Sequence, residues 1–395
     1  MLKPNDNPAT GRPRIPLAPV LSRNCLGSAR AAQPSVLDAG DIRLVTSGRI
    51  AIAMALREMG IGQGDLVLVP AYHSKSMIPP ILACGAQPVF YKVGPDARVD
   101  LEDAQAKLSA AVKAIMVTSY FGIPQPLANI RNWCDLHGVR MLEDCAHCFF
   151  GVHEGRAVGS WGDYAIASSM KFFPIYEGGC LVSARHALAS PQTRAAGPGF
   201  ELKAALNALE HAFAYGRLPL VRALLWLPLK AKAVLWNAVK RRTPVADLAP
   251  SSSDSSYEFD ARWLDVRSSW FSRMVMRRTS HQRIVTARRA HYQHLATALA
   301  GLPGCRPLYP TLPPQACPWL FPLVVDEAEA VFERLHRLGV PMTRFADALW
   351  PGVDASVCAN SAMLSRQVLA FPCHQELEQD ELAWMTASIR EALRA

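Results

Sequence analysis

Apolar runs of strand length alternate with segments of helical periodicity through the first half of the chain. The runs are rich in Val, Ile and Leu without polar alternation, which is typical of strands buried on both faces. They lie at 65–70, 87–93, 114–120, 139–143, 164–169 and 179–183. Helical spacing is found at 49–60, 76–85, 100–112 and 127–138. This alternation predicts an open α/β fold with a largely parallel sheet, in which ligands bind beyond the carboxyl ends of the strands.

The size of the chain allows more than one unit. With 395 residues, of which 50% are hydrophobic and 19% charged, we expect two domains, or one large domain with an appended lobe. Residues 1–12 are polar and rich in proline, which indicates a loose tail rather than a signal peptide. We therefore expect a cytoplasmic protein.

The cysteines agree with that expectation. Ten cysteines at irregular spacings fit reduced thiols better than a disulfide framework. Cys145 and Cys148 form a C-x-x-C, but no second pair accompanies them. Buried small hydrophobic residues are favoured here over a metal or redox site, and no metal is expected. Cys180 and Cys373 lie in apolar runs and are expected in the core.

The formal net charge of +9 is concentrated in one place. Seven basic residues and no acid lie between Arg217 and Arg242, and the rest of the chain carries only +2. The distribution of charge therefore does not indicate a basic surface over the whole fold, and we expect no nucleic-acid partner.

One candidate binding site precedes the first predicted helix. Thr46, Ser47 and Gly48 come directly before a helix that starts near Arg49. Free amides and a hydroxyl meet there at the positive end of the helix dipole, which suits a phosphate. Ordinary helix capping by Ser47 is the alternative.

Two further candidates follow buried strands. Asp144 comes directly after the apolar run at 139–143. A carboxylate buried there requires a cation or hydrogen-bond donors beside it. The alternative is that Asp144 caps the helix that follows. Lys171 lies between two apolar stretches. Desolvation there would lower the pKa of its amine, which an imine-forming lysine requires. The alternative is that its side chain extends from the end of the strand into solvent. Ser168 could offer a hydroxyl to a phosphate. An acid for a ring nitrogen and an imine-forming lysine are what pyridoxal 5'-phosphate (PLP) chemistry needs.

These motifs resemble a known family. SGRIAIAMALREMGIGQGDLVLVPAYHS, GAQPVFYKV, the EDCAH run and GRAVGSWGDYAIASSMKFFPIYEGG follow the order and spacing of the DegT/DnrJ/EryC1/StrS family of PLP-dependent sugar aminotransferases. The likeness runs from about residue 14 to 183 and resumes more weakly at CPWLFPLVV and near the C-terminus.

The resemblance implies a fold-type I aminotransferase that forms a homodimer with active sites between the subunits. It implies a large domain with a mainly parallel seven-stranded sheet and a smaller C-terminal α/β domain. Lys171 would form the imine and Asp144 would hold the pyridine nitrogen. The cofactor-binding residues implied by the family's motifs are Ser47, Gly48, Arg49, Tyr72, His73, Asp144, His147, Ser168 and Lys171. Either Tyr72 or His73 would stack on the cofactor ring.

The chain departs from the family at two motifs. His147 stands where the family usually has the glutamine of EDAAQ, and both a role beside the cofactor and a core or supporting role stay open. The asparagine of the family's GYN[YF]R motif, which reaches the neighbouring subunit's phosphate, has no counterpart in SSYEFDARWLDVRSSWFSR. Ser268 or Ser269 is a candidate substitute.

We divide the chain into the tail at 1–12, a large PLP-binding domain at 13–250 and a small domain at 251–395. A basic, hydrophobic insertion lies at about 190–250, and 251–256 reads as a linker. The segment 217–242 is too charged for a confident membrane span. A helical pair packed on the dimer partner is favoured there over weak docking on an anionic membrane surface.

The expected activity is transfer of an amino group from an amino acid, with glutamate as the usual family donor, to a keto sugar carried on a nucleotide. Polysaccharide or glycoconjugate biosynthesis is the expected context. Two alternatives remain: the same chemistry on a non-sugar or lipid-linked carbonyl compound, and a catalytically silent homologue with a scaffold or regulatory role. Lys171 argues against a dehydratase, because dehydratases of this fold carry histidine in its place.

Overall fold

A computed structural model describes residues 12–25, 33–189, 193–225 and 258–394. Within these ranges, two main β-sheets are surrounded by helices. The strands are β1 (Asp41–Val45), β2 (Leu66–Pro70), β3 (Gln87–Tyr91), β4 (Val112–Thr118), β5 (Arg140–Asp144), β6 (Val152–His153), β7 (Arg156–Ala157), β8 (Tyr164–Ala167), β9 (Gly179–Ser183), β10 (Cys305–Pro307), β11 (Leu320–Val325) and β12 (Val368–Pro372).

The helices pack against both faces of the first sheet and against the second sheet. They are α1 (Gly48–Glu58), α2 (Ile78–Ala83), α3 (Leu101–Ala106), α4 (Leu127–His137), α5 (Pro198–Ala214), α6 (Pro219–Leu224), α7 (Trp270–Arg278), α8 (His281–Ala298), α9 (Ala328–Leu338), α10 (Ala359–Gln367) and α11 (Gln379–Arg394).

The large sheet has seven strands in the order β1-β9-β8-β5-β4-β2-β3. The pairs β2–β3, β2–β4, β4–β5 and β5–β8 are parallel, whereas β9 pairs antiparallel with both β1 and β8. The predicted α/β fold with a mainly parallel seven-stranded sheet is confirmed. The carboxyl ends of β5 and β8 are neighbours, so Asp144 and the turn after β8 meet at one edge of the sheet.

Most of the predicted elements are present with shifted ends. The strand predicted at 164–169 ends at Ala167, and Asp144 is the last residue of β5 rather than the residue after it. The helix predicted over 100–112 ends at Ala106, because the chain turns there to begin β4. Strand β1 was not predicted, since its sequence DIRLV alternates polar and apolar residues at a sheet edge.

The second sheet is antiparallel in the order β10-β11-β12. Its core, which includes Phe321, Leu323, Leu369 and Phe371, packs against α8, α9 and α11. A further apolar cluster spans both sheets, with Leu68 and Tyr120 on one side and Leu320 on the other. The candidate site lies at this junction. The domain boundary predicted at 250/251 and the linker at 251–256 lie outside the described residues.

Candidate active site

The first turn of α1 is the predicted anion-binding position. Ser47 caps the helix, its hydroxyl accepting from the Ile50 amide (3.4 Å). Ser168, which follows β8, lies beside this turn: a methyl group placed on Gly48 would be 3.9 Å from Ser168 Cβ. Both serines are buried. The structure thus brings together two predicted hydroxyl groups at the positive end of an eleven-residue helix.

Two glycines let β9 approach this turn closely. A Cβ on Gly179 would lie 2.5 Å from the carbonyl carbon of Ser47 and 2.7 Å from the Gly48 nitrogen, which no side chain tolerates. The Gly178 amide donates to the Thr46 carbonyl (2.7 Å). The backbone of β9 therefore closes one side of a cradle whose other side is the helix N-terminus.

Arg49 is buried on the far side of that turn. Its guanidinium donates to the Glu258 carbonyl (2.5 Å), which attaches α1 to the chain entering the small domain. The side chain is used structurally in this position. A role for Arg49 toward a cofactor phosphate stays a prediction that concerns its backbone amide.

Asp144 is a buried carboxylate with few partners. Its Oδ1 accepts from the Ala146 amide (2.9 Å) and its Oδ2 accepts from the Thr118 hydroxyl (3.1 Å). Burial raises the pKa of Asp144 above its ordinary value, while the Ala146 bond and the charge of Lys171 act in the opposite direction. A further cation at this carboxylate would favour its charged form.

Lys171 lies in a short 3₁₀ turn directly after β8. Its Nζ is 4.6 Å from the centre of the Trp319 ring, a cation–π distance. Burial lowers the pKa of Lys171 to about 8, and the charge of Asp144 opposes that shift. A substantial share of this amine is therefore neutral, and nucleophilic, near pH 8.

His147 is packed among aromatic rings. Its ring centre lies 3.9 Å from that of Trp319 and 4.7 Å from that of Phe345. Burial, and secondly the charge of Lys171, hold the pKa of His147 well below its ordinary value, so the ring is neutral. The Phe121 amide donates to Nδ1 (3.5 Å), which places the proton on Nε2. His147 is thus a neutral donor beside the lysine.

Tyr72 and His73 both lie in the core. The ring of His73 stacks on Phe90 with centres 4.9 Å apart, and its Nε2 accepts from the Trp350 amide (3.0 Å). Burial lowers the pKa of His73 to about 4. Tyr72 packs against Tyr120 and, edge-on, against Phe345. Stacking of either ring on a cofactor stays a prediction.

The two serines that were candidates for the missing asparagine have different surroundings. Ser269 caps α7 and donates to the buried carboxylate of Glu177 (2.7 Å), so its hydroxyl is engaged. The Ser268 amide donates to the Leu44 carbonyl (3.2 Å), and among the described residues its buried hydroxyl has no partner. Ser268 therefore remains the candidate, as a prediction.

Sequence reasoning missed three residues that surround Lys171. Trp319 covers its amine, and Arg288 and Gln375 bind the backbone of its turn. Arg288 had a signal that could have found it. It occupies the buried stripe of α8 together with Ile284, Tyr292 and Leu295, at helical spacing, where an apolar residue is expected. Trp319 and Gln375 flank strands of the second sheet and had no local signal.

The insertion begins with α5, which packs next to the lysine turn. His211 stacks on Tyr176 with ring centres 3.9 Å apart. Farther along, Arg217 donates to Glu381 (2.7 and 2.8 Å) at the start of α11. In the described residues no helix has the length and apolarity needed to cross a membrane. The basic residues from Lys230 to Arg242 lie outside the described residues. Docking of that stretch on a membrane surface therefore stays a prediction.

The predicted burial of the cysteines is confirmed. Cys145, Cys148, Cys180 and Cys373 are fully buried. Cys145 donates to Glu143 (3.3 Å), whose other partners are the amides of the 159–162 turn. All ten cysteines are free thiols.

The donor set fits PLP. The cradle formed by Ser47, Gly48 and Gly179 has the backbone amides and hydroxyl that a phosphate ester takes. Asp144 is a buried carboxylate short of a cation, which a protonated pyridine nitrogen supplies. Lys171 offers a desolvated amine to an aldehyde. Each of the cofactor's three recognition elements has a matching group in the site.

Comparison with known proteins finds a family whose model matches part of the chain. Residues 42–217 match the model of the DegT/DnrJ/EryC1/StrS aminotransferase family. Over that segment the chain is similar to this family. The matched range contains Ser47, Gly48, Asp144, Ser168 and Lys171. The resemblance inferred from the motifs is thereby confirmed.

Relatives agree in fold and, over part of their length, in sequence. The chain is 34% identical over 142 residues to GDP-perosamine synthase of Vibrio cholerae, covering 35% of this chain and 39% of the relative. It is 35% identical over 131 residues to UDP-N-acetyl-3-dehydro-alpha-D-glucosamine 3-aminotransferase of Acidithiobacillus ferrooxidans, covering 32% and 34%. The chain thus spans less than half the length of these relatives.

The structural likeness is broader. A DegT DnrJ EryC1 StrS aminotransferase from Brucella abortus superposes with a TM-score of 0.60 at 18% identity, over 90% of this chain and 86% of that one. The second sheet and its helices therefore belong to the same fold as the segment matched in sequence.

Proposed function

We propose that this protein is a PLP-dependent aminotransferase that moves an amino group from an amino acid to a keto sugar carried on a nucleotide. The observation that carries the proposal is the pairing of Asp144 and Lys171. The two groups lie at the carboxyl ends of adjacent strands and each shifts the other's pKa by its charge.

PLP, when bound, supplies an electron sink that stabilises negative charge on the carbon next to a substrate's nitrogen. The protein's residues provide the rest. Ser47, Ser168 and the first-turn amides of α1 hold the phosphate and fix the ring's position. Asp144 keeps the ring nitrogen protonated, which maintains the electron-withdrawing form.

Lys171 acts as the proton carrier. With a pKa of about 8, its Nζ can accept a proton from one carbon and return it to another close to neutral pH. Trp319 and His147 shield one side of the amine from water, which keeps that pKa low. Both halves of the reaction use the same amine, so the two substrates are expected to react in turn at one site.

The substrate class is supported by what the relatives' names say. One is a GDP-perosamine synthase and the other a UDP-sugar aminotransferase, so nucleotide-linked keto sugars are the acceptors to try first. Glutamate is proposed as the donor. We place the reaction in the biosynthesis of a polysaccharide or glycoconjugate.

A half-reaction assay tests the proposal. The purified protein is loaded with PLP, and glutamate is added without an acceptor. We expect the visible absorption of the bound cofactor to disappear, one 2-oxoglutarate to form per site, and a nucleotide keto sugar to restore the absorption. Lys171→Ala is the control and should show no conversion. If the wild-type protein binds PLP but converts no amino acid, the transaminase assignment fails. That result would favour the alternative of a catalytically silent homologue.

A second candidate acceptor is a non-sugar carbonyl compound. The observation in its favour is the aromatic lining around Lys171, made by Trp319, His147, Phe345 and Phe121. Such a lining suits an aromatic or otherwise apolar carbonyl compound. The same assay distinguishes the two, because restoration by an apolar keto compound, and by no nucleotide sugar, would favour this candidate.

We propose that the protein is a cytoplasmic homodimer. The ten free thiols support a reducing compartment, and the family resemblance supports active sites between subunits. The measurement is light scattering after size-exclusion chromatography. A mass near twice 43.2 kDa is expected, and a monomer that is active at all concentrations would contradict the shared site.

A further inference from the structure

Arg288 is a fully buried charged residue beside the candidate site. It lies on α8, faces the core with its guanidinium, and has no solvent exposure. Within the described part of the chain it forms no ion pair, and the nearby Glu376 is paired with Arg283 instead. Burying an arginine without a carboxylate is costly, so the residue needs a compensating set of hydrogen bonds.

Three of the hydrogen bonds of Arg288 reach the two segments that flank the Lys171 amine. Nη2 donates to the carbonyl of Lys171 itself (2.9 Å). Nη1 donates to the carbonyls of Pro318 (3.1 Å) and Trp319 (2.9 Å). One rigid planar group thus holds both the lysine and the tryptophan whose ring covers the lysine's amine.

Gln375 completes the arrangement. Its side-chain oxygen accepts from Arg288 Nε (3.0 Å), and its side-chain nitrogen donates to the Phe172 carbonyl (2.9 Å). The guanidinium also lies 4.6 Å from the centre of the Phe172 ring. Consecutive carbonyls of the lysine turn are therefore fixed from one side by a residue of α8 and a residue that follows β12.

We propose that Arg288, supported by Gln375, is a positioning residue that sets where the Lys171 amine lies relative to Trp319 and Asp144. The guanidinium fixes the spacing between the lysine turn and the Trp319 segment, and so keeps the amine desolvated. The proposal rests on the proposed function only in taking Lys171 as the reacting amine.

The test measures the amine of Lys171 in the protein without cofactor. Pulse labelling with an acylating reagent is followed across the pH range, and the labelling of the Lys171 peptide is read by mass spectrometry. The wild-type midpoint is expected near pH 8. In Arg288→Met the lysine turn is no longer held against the Trp319 segment, so the amine becomes less desolvated and the midpoint should rise by about one pH unit or more toward the ordinary lysine value.

Two further variants cover the case in which Arg288→Met does not fold. Arg288→Lys keeps the charge but loses the fork that binds several carbonyls, so a smaller rise is expected. Gln375→Leu keeps Arg288 and removes the bond to the Phe172 carbonyl, and it should raise the midpoint as well. Near-ultraviolet circular dichroism confirms native packing in each variant that is scored.

Arg289→Met is the matched control. Arg289 lies next along α8 and also donates to carbonyls, those of Pro313 and Ala316, but it does not contact the lysine turn. Its midpoint should stay at the wild-type value. An unchanged midpoint in the folded Arg288 and Gln375 variants, or an equal rise in Arg289→Met, would overturn the proposal. Because the assay contains no PLP, its result is independent of whether the protein transaminates.

Discussion

Lys171 and Asp144 illustrate how two residues become a site through burial. Desolvation pushes the pKa of Lys171 down and that of Asp144 up, and each charge partly restores the other. A lysine on the surface would stay protonated until far higher pH and would serve neither as nucleophile nor as proton carrier near neutrality. The chemistry of the site therefore depends on how deeply the turn after β8, which carries Lys171, is buried in the protein.

The pH dependence of cofactor uptake follows from these shifts. The neutral amine of Lys171 attacks the aldehyde of PLP, so the uptake rate should rise with pH and level off above about 8. In Asp144→Asn the carboxylate that raises the pKa of Lys171 is gone, and the midpoint should move below the wild-type value. Stopped-flow absorbance on the cofactor-free protein measures both. A midpoint near that of free lysine would contradict the desolvated amine.

The residues proposed to act at the site could be predicted from the sequence, but the residues that hold them in position could not. Asp144, Ser168 and Lys171 lie at or just beyond the end of a predicted strand, and Ser47 precedes a predicted helix, so local pattern located them. Trp319 and Gln375 reach the site only through tertiary packing of the small domain. The desolvation of Lys171 depends on these distant residues, which no local pattern specifies.

At the scale of elements, the phosphate cradle is a contact between the start of α1 and the start of β9. The contact exists because Gly179 has no side chain, and a Cβ there would overlap the Ser47 backbone. The register of β9 against β1 pairs Gly179 with Val45, two residues before Ser47. Strand pairing therefore sets the shape of the anion site.

Gly179→Ala tests the cradle. The added methyl group should push β9 away from Ser47 and Gly48, which by analogy with overpacked cores costs about 1–3 kcal/mol. We expect at least roughly tenfold weaker binding of PLP, measured by a fluorescence titration. Gly199→Ala is the control, because that glycine lies in α5 with nothing within 4 Å of an added Cβ. Equal affinity of Gly179→Ala and wild type would rule out the cradle as the phosphate site.

The elements themselves were largely predictable. Six strands of the large sheet were found from their apolar runs; most are buried on both faces, which leaves little choice of residue, whereas β3 is a partly exposed edge strand. Strand β1 was not predicted because this edge strand contains Asp41 and Arg43 and therefore has no continuous apolar run. Helix α3 was predicted too long, since the end of its pattern belongs to the turn before β4.

At the scale of the whole molecule, a buried ion pair attaches the insertion to the C-terminal helix. The side chains of Arg217 and Glu381 are only 11% and 6% exposed. Arg217 also reaches the Glu376 carbonyl (3.2 Å), in the segment that carries Gln375. The end of the insertion that the structure describes is thus tied to the same segment that supports the lysine turn. Neither partner could be assigned from sequence, because 164 positions separate them.

Arg217→Met should destabilise the protein by about 3 kcal/mol, because it leaves the Glu381 carboxylate buried without its cation. Burial already raises the pKa of Glu381. Urea denaturation of the two proteins measures the difference. Arg262→Met is the matched control, since Arg262 pairs with Asp260 at the surface and its loss should produce no measurable change. Identical unfolding midpoints for Arg217→Met and wild type would show that the ion pair does not hold the insertion in place.

The central claim is that PLP binds covalently to Lys171, and borohydride reduction tests it most directly. The protein is incubated with PLP, reduced and digested, and the modified peptide is identified by mass spectrometry. We expect one phosphopyridoxyl group per chain, on Lys171, and none at that position in Lys171→Ala. A label on a different lysine, or a wild-type protein that takes up no label under saturating PLP, would contradict the account.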